Sequence, residues 1–294
     1  MSRRLLPVLA CAALAAASAM STRSWAATVD DLKKAAQGYR AQLAANPNQP
    51  DVHAALGETL ESLGDATGAL AEYDRAIKGP GDADRALVDR GRLLVRQGRF
   101  ADGRDDFNRA LGHNSRNVEA LAARGHSWVV EGKSKRAKAA LADFDAALAI
   151  APDNPTALNA RGDFYLAELK PELAIADFDK ALAANPKDDV VLFNRGVAWK
   201  QMNRYDRALR DFNAALRITP GDPMTLTAKG DTYRELGDLL LARDFYDAAL
   251  KADPRSARSW EARGEVRAAL GDGPGGDADK AQARKLDPNV EASS

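Results

Sequence analysis

Cysteine is nearly absent from this 294-residue chain: Cys11 stands alone, inside an apolar stretch near the N-terminus. A single thiol builds neither an intrachain disulfide framework nor a multi-thiolate metal site. Histidine is almost as scarce, and His53, His113 and His126 have no metal-type spacing. Charge of one sign is not in excess, because Lys plus Arg and Asp plus Glu both number 42. No global field therefore draws in nucleic acid or an anionic membrane. Beyond the N-terminal stretch no apolar run is long enough to span a bilayer. Walker loops, nucleophile elbows and zinc-protease motifs are missing. The glycine-rich segment Gly271–Gly276 lacks the Gly-Lys-Ser/Thr ending of a phosphate loop. The expectation is a protein without catalysis, cofactor or metal.

The N-terminus reads as an export signal. Arg3 and Arg4 precede Leu5–Met20, which is apolar and uncharged. Ala17-Ser18-Ala19 and Ser24-Trp25-Ala26 both place small residues at cleavage spacing. Cleavage after Ala26 leaves a chain with no cysteine, exported to the periplasm or cell envelope. The competing readings are an uncleaved membrane anchor, a twin-arginine signal resting on Ser2-Arg3-Arg4, and a lipoprotein signal resting on Cys11.

What the rest of the chain has is a period. Gly57, Gly91, Gly125, Gly162, Gly196, Gly230 and Gly264 recur at intervals of 34, 34, 37, 34, 34 and 34. Sixteen residues beyond most of them sits an aromatic: Tyr73, Phe107, Phe178, Phe212 and Tyr246. Phe144 comes nineteen residues on, which marks a three-residue insertion, and Lys280 fills the last slot. Three residues after each slot stands Ala76, Ala110, Ala147, Ala181, Ala215, Ala249 or Ala283. Pro152, Pro186, Pro220, Pro254 and Pro288 follow in the last five units. A glycine within a helix costs about 1 kcal/mol against alanine, so its recurrence implies that something packs where a side chain would be. The ring on the paired helix is the natural occupant, the alanine permits close approach, and the proline stops the second helix. Leu63-Gly64-Asp65, Gln97-Gly98-Arg99, Leu236-Gly237-Asp238 and Leu270-Gly271-Asp272 signal the turns between helices.

This pattern resembles the tetratricopeptide repeat, a 34-residue helix-turn-helix unit. The resemblance implies an all-α fold: a right-handed superhelical solenoid of about seven repeats, starting near 50, 84, 118, 155, 189, 223 and 257. Residues 1–26 are then signal, 27–49 a capping helix and linker, 50–290 the solenoid, and 291–294 a tail. The capping helix is expected over Thr28–Asn46, with Leu32, Ala35, Ala36, Tyr39 and Leu43 as its apolar face. The last helix is expected to be short, near Asp277–Leu286.

One departure from the family pattern is regular. Before each glycine stands Arg90, Arg124, Arg161, Arg195, Lys229 or Arg263, and only the first unit keeps Leu56. Before the aromatic slot stand Asp106, Asp143, Asp177, Asp211 and Asp279, with Phe245 opposite Lys229. A partly buried arginine needs a carboxylate, so the spacing predicts an Arg–Asp pair within each of five hairpins.

By the same resemblance, the first helix of each hairpin lines a concave groove that takes a protein or peptide partner. The groove slots make its middle apolar and its ends charged. Val129, Val130, Leu166, Phe193 and Val197, with Arg92 and Arg96, are the candidate partner-binding residues; the competing role for the apolar ones is inter-repeat core. A family subtype clamps a C-terminal carboxylate with lysine and asparagine, but the asparagine slot here holds Glu58, Arg92, His126, Asp163, Val197, Asp231 and Glu265. Lys133, Lys135, Arg136 and Lys138 form a short basic run, expected to be a solvated helical turn. The leading expectation is an adaptor, monomeric when free, touching a membrane only through an uncleaved signal or lipid anchor. The alternatives are a self-associating envelope component and a peptidoglycan or glycan binder, for which Phe193 is the candidate groove aromatic.

Overall fold

The computed structural model describes residues 22–132 and 136–290. The apolar stretch Leu5–Met20 with Cys11, the residues Lys133 and Lys135, and the tail 291–294 lie outside the described residues. Among the described residues there are fifteen α-helices and no strand. None of these helices is long and apolar enough to cross a membrane. The chain forms two compact units, Ser21–Phe164 and Tyr165–Ser294, with the boundary inside one helix.

The N-terminal unit begins with α1 (Thr22–Ala45), followed by α2 (Pro50–Ser62), α3 (Ala66–Lys78), α4 (Asp84–Arg96), α5 (Phe100–His113), α6 (Val118–Val130) and α7 (Ala137–Ile150). Helix α8 (Pro155–Ala167) contains the boundary. The C-terminal unit continues with α9 (Pro171–Ala184), α10 (Asp189–Gln201), α11 (Tyr205–Ile218), α12 (Pro223–Glu235), α13 (Leu239–Ala252), α14 (Ala257–Ala269) and α15 (Gly273–Leu286). Consecutive helices pack as hairpins: α2 on α3, α4 on α5 and α6 on α7 in the first unit, then α10 on α11, α12 on α13 and α14 on α15 in the second. Helix α1 packs on α2, where Ala36, Tyr39 and Leu43 meet the cluster of Leu56, Leu60, Ala69 and Tyr73.

Local chemistry sets the helix ends. Asn117, Asn154, Asp188, Asp222 and Ser256 each accept a hydrogen bond from a backbone N–H three residues on, which satisfies a donor left free at the helix start. Asp65, Asp238 and Asp272 do the same for the second helices. Helices α7, α9, α11, α13 and α15 all stop two residues before the proline that follows them. The tight turns require a left-handed residue, which glycine supplies at Gly64, Gly98, Gly132, Gly237 and Gly271, while Leu169 and Asn203 occupy it at φ 56°.

Within each hairpin the glycine meets the ring. A Cβ on Gly57, Gly91, Gly125, Gly196 or Gly230 would stand 2.6 Å from the edge carbon of Tyr73, Phe107, Phe144, Phe212 or Tyr246 respectively. These rings are fully buried. In the last hairpin, where Lys280 replaces the ring, the backbones themselves close up: a Cβ on Gly264 would lie 2.9 Å from the carbonyl oxygen of Gly276, and one on Gly276 would lie 2.6 Å from that of Gly264. This corrects the expected short final helix. The glycine-rich segment is helical from Gly273, because Asp272 caps it, Pro274 falls in the first turn where its missing N–H costs nothing, and Gly276 makes the close contact possible.

Four of the five predicted Arg–Asp pairs are seen, and they belong to a longer ladder than the spacing alone indicated. Arg90 bonds Asp106, Arg124 bonds Asp143, Arg195 bonds Asp211 and Arg263 bonds Asp279, each through two guanidinium nitrogens, with Nε contacts of 2.8, 2.9, 2.8 and 2.7 Å. The remaining Nη1 reaches back sixteen residues to the preceding hairpin: Arg90 to Asp74, Arg124 to Asn108, Arg195 to Asp179 and Arg263 to Asp247. Arg161 makes that backward bond to Asp145 at 2.8 Å. The ladder thus ties each hairpin to its predecessor as well as closing it. In the sixth hairpin Lys229 keeps the backward bond, to Asn213 at 2.7 Å, and lays its ammonium 4.0 Å above the Phe245 ring. In the first hairpin, where Leu56 offers no cation, Glu72 takes His53 at 2.6 Å and Arg75 instead.

The forward carboxylates are buried while the backward ones are about half exposed, so the two kinds of rung should differ in strength. Asp211→Ala should cost about 3 kcal/mol, since it strands a partly buried guanidinium. Asp179→Ala should cost under about 1 kcal/mol. Urea unfolding of both variants measures this, and equal losses would contradict the assignment.

Candidate functional site

With the rings and alanines committed to the hairpin cores, the polar side chains of the first helices carry the chemistry. In the N-terminal unit α2 and α4 flank a pocket of about 300 Å³ lined by Glu58, Glu61, Ser62, Tyr73, Asp89, Arg92 and Arg96. Arg85 donates to Glu58 at 2.5 Å and Arg96 to Glu61. The Tyr73 hydroxyl, on the ring that packs against Gly57, donates to Glu61 at 3.3 Å. Burial and the Glu61 charge push that phenol well above its ordinary range.

Arg92 holds only loose ion pairs, at 3.6 Å to Asp89 and 3.4 Å to Glu119. Asp89 is the poorly satisfied member. Its Oδ2 is buried and lies 3.8 Å from Arg85 Nε, beyond hydrogen-bond reach of that cation, and the carboxyl shares a hydrogen bond with Glu58. Burial, then the neighbouring Glu58 charge, raise its carboxyl to about 7, against the opposing pull of Arg92 and Arg85.

Of the expected site residues, the structure thus places Arg92 and Arg96 in a pocket. Next along the unit, burial and the two arginines hold His126 below the ordinary imidazole value. Asp163, in the corresponding position of α8, is 9% exposed with its Oδ1 unbonded, and burial alone pushes its carboxyl up to about 8.

The apolar candidates are used differently. Phe193 packs on the Phe212 ring at 5.8 Å, and Val197 joins it against the cluster of Ala208, Phe212 and Ala228. Leu166 is buried, and Val129 and Val130 are half-buried. Phe193, Val197 and Leu166 belong to the C-terminal unit, and Val129 and Val130 to the N-terminal one. Phe193 and Val197 are thus half-buried, packed in part against the hairpin core, and the charged residues Arg92 and Arg96 of the expected groove line a recess. Sequence reading missed Asp89, which lies outside the groove slots; its signal was its place three residues before Arg92.

Two further groups are tied down. Arg104 and Arg136 both lie over the Trp128 ring, at 3.9 and 4.8 Å from its centroid, and both pair with Glu131. Arg136 of the basic run is therefore anchored rather than free. In the C-terminal unit buried Asp231 accepts from the Tyr246 hydroxyl and from Arg258, both at 2.7 Å, with Lys200 at 3.8 Å. Burial opposes its ionisation, yet these cations hold its carboxyl below the usual range. Among the described residues no group of three or more His, Cys, Asp or Glu is placed to hold a metal ion.

The tetratricopeptide repeat model matches residues 26–83, 88–155, 130–189, 159–223 and 227–284. No curated protein matches the chain significantly. Among solved structures, a tetratricopeptide repeat protein from Parabacteroides merdae is 21% identical, with a TM-score of 0.62 over 83% of this chain and 98% of that one. PilW, a type IV pilus biogenesis factor, is also 21% identical, with a TM-score of 0.64 over 73% and 98%. The Cut9–Hcn1 hetero-tetramer of the APC/C superposes at 0.72 with 16% identity, over 89% of this chain and 51% of that one. At these identities the likeness is one of fold.

Asp163 gives a measurable pH effect. The unfolded carboxyl titrates near 3.9 and the folded one at about 8. The folded chain binds the extra proton between these values, so the stability linked to this group is fullest below about 4 and is lost as pH rises to about 8. Asp163→Asn cannot ionise and should gain at least about 1 kcal/mol on its parent between pH 5 and pH 9. Urea unfolding at both pH values tests this; parallel curves for the two proteins would refute it.

Proposed function

This chain belongs to the tetratricopeptide repeat family, and from that premise we propose that it is a non-catalytic scaffold that holds a partner protein through a peptide segment bound along the first helices of its hairpins. The observation that carries this reading is the division of labour among side chains. The rings, glycines and the Arg–Asp ladder close and stack the hairpins, while the same first helices also carry the polar side chains Arg92, His126 and Asp163, of which Arg92 has only loose ion pairs and Asp163 a buried oxygen without a hydrogen bond. Buried polar groups without partners are uncommon in a finished interior, and a peptide backbone supplies both donors and acceptors. We place this scaffold in the periplasm or cell envelope on the strength of Arg3, Arg4 and the apolar Leu5–Met20.

A second reading has its own support. Leu236, Leu240, Leu241 and Leu270 are exposed beside a recess of about 480 Å³ at the hairpin turns of the C-terminal unit, a surface suited to self-association.

A photo-cross-linking residue at Arg92, introduced in the native host, should capture a discrete partner protein, whereas the same residue at exposed Asp102 on α5 should not. Fractionation of those cells should find the chain in the envelope, beginning at Ala27. Equal labelling at both positions, or capture of the chain itself alone, would count against the scaffold reading.

A further inference from the structure

We propose that Asp163 on α8 receives an arginine or lysine side chain of the bound peptide. The proposal rests on the scaffold reading and names the chemistry of one contact within it. Asp163 and Asp231 occupy the same place in their hairpins, each directly after the glycine, Gly162 and Gly230. Asp231 shows what a carboxylate in this place demands. It accepts from the Tyr246 hydroxyl and from Arg258, both at 2.7 Å, with Lys200 at 3.8 Å. The Arg258 side chain stays 57% exposed while making that bond, so a guanidinium reaches this place from the solvent side.

Asp163 is buried in the same way and has none of these partners. Its Oδ1 is enclosed without a hydrogen bond, and burial alone acts on its carboxyl. The repeat register accounts for the difference. Tyr246 lies fifteen residues after Asp231, Arg258 twenty-seven after it, and Lys200 is fourth after the preceding hairpin's glycine. From Asp163 the same steps fall on Phe178, Val190 and Val129, none of which carries a side-chain donor. The cations of α6 and α8 are engaged elsewhere, Arg124 with Asp143 and Arg161 with Asp145. His126 on α6, held below the ordinary imidazole value, is neutral at pH 7. A buried carboxylate without a donor costs free energy, and an arriving guanidinium or ammonium brings donors and positive charge together. Asp163 keeps 9% of its surface in solvent, against 3% for Asp231 beneath Arg258. Pairing also displaces a proton, because the carboxyl titrates at about 8 and is mostly protonated at pH 7.

The test uses the full chain with its aspartate carboxyl carbons isotopically labelled, and acetyl-arginine-methylamide as the probe beside acetyl-citrulline-methylamide, its neutral isostere. The Asp163 carboxyl resonance is assigned by its loss in Asp163→Asn and followed by NMR. The arginine probe should shift it with at least about tenfold lower Kd than the citrulline probe, a difference of about 1.4 kcal/mol. The arginine Kd should fall about tenfold from pH 6 to pH 7 and level off above about pH 8, once no proton has to leave. In Asp163→Asn, with the fold confirmed by circular dichroism, backbone amide shifts of α8 should show the two probes binding equally weakly. Equal binding of the two probes to the parent chain, an arginine Kd that does not change with pH, an undiminished arginine preference in Asp163→Asn, or no shift with either probe would each overturn the subsite. Each of these outcomes leaves the scaffold reading standing, and cross-linking at Arg92 judges that reading separately.

Discussion

A ring edge lies in five hairpins where a glycine side chain would otherwise be, and the rest of the structure is arranged around that contact. Removing Cβ from one helix lets a Tyr or Phe from the next descend until it is fully buried. The two helix axes are then fixed at close range, and the alanine three residues after the ring has to be small for the following helix to approach. The last hairpin shows the constraint by exception. With Lys280 in the ring's slot, the space is closed by a second glycine, and Gly264 and Gly276 approach through their backbones. The same backbone approach supplements the ring in the second hairpin, where a Cβ on Gly91 would lie 2.9 Å from the Gly103 carbonyl.

Close helices bring the residue before the glycine opposite the residue before the ring, and this is why the departure from the family pattern takes the form it does. An apolar residue there would be ordinary core. An arginine there must find acceptors, and it finds them on two successive hairpins at once. The planar guanidinium suits this, with two nitrogens on one carboxylate and the third on another. Lys229 cannot make the forked contact, and the sixth hairpin replaces the forward carboxylate with the face of Phe245. The ladder's role is register: it ties each hairpin to its predecessor at an interval of sixteen residues.

Once the ladder uses the arginines on one side of the first helices, the charges on the other side are left to satisfy one another. In the C-terminal unit they do so fully around Asp231, which lies under Tyr246, Arg258 and Lys200. In the N-terminal unit they do not, and Asp89 and Asp163 keep carboxyls raised by burial.

The sequence by itself determined the hairpins. Side-chain size recurs along the chain with a period that nested helix pairs satisfy, so the starts of the first helices, the glycine–ring contact in five hairpins and four forward Arg–Asp pairs were legible, because each depends on residues a fixed distance apart within one unit. The helical course of Gly273–Gly276 was misread, since composition argues for a turn there and only the neighbouring Gly264 backbone makes those glycines an asset. The tertiary structure alone decided the backward rungs, which join different hairpins. It also decided how far each candidate residue is buried. Phe193 and Val197 share the period of both a groove and a core, and they sit half-buried against the cluster around Phe212. Asp89 carries no periodic signal; what sets it apart is the distance to its nearest cations, and a distance across helices is a quantity that no linear spacing encodes.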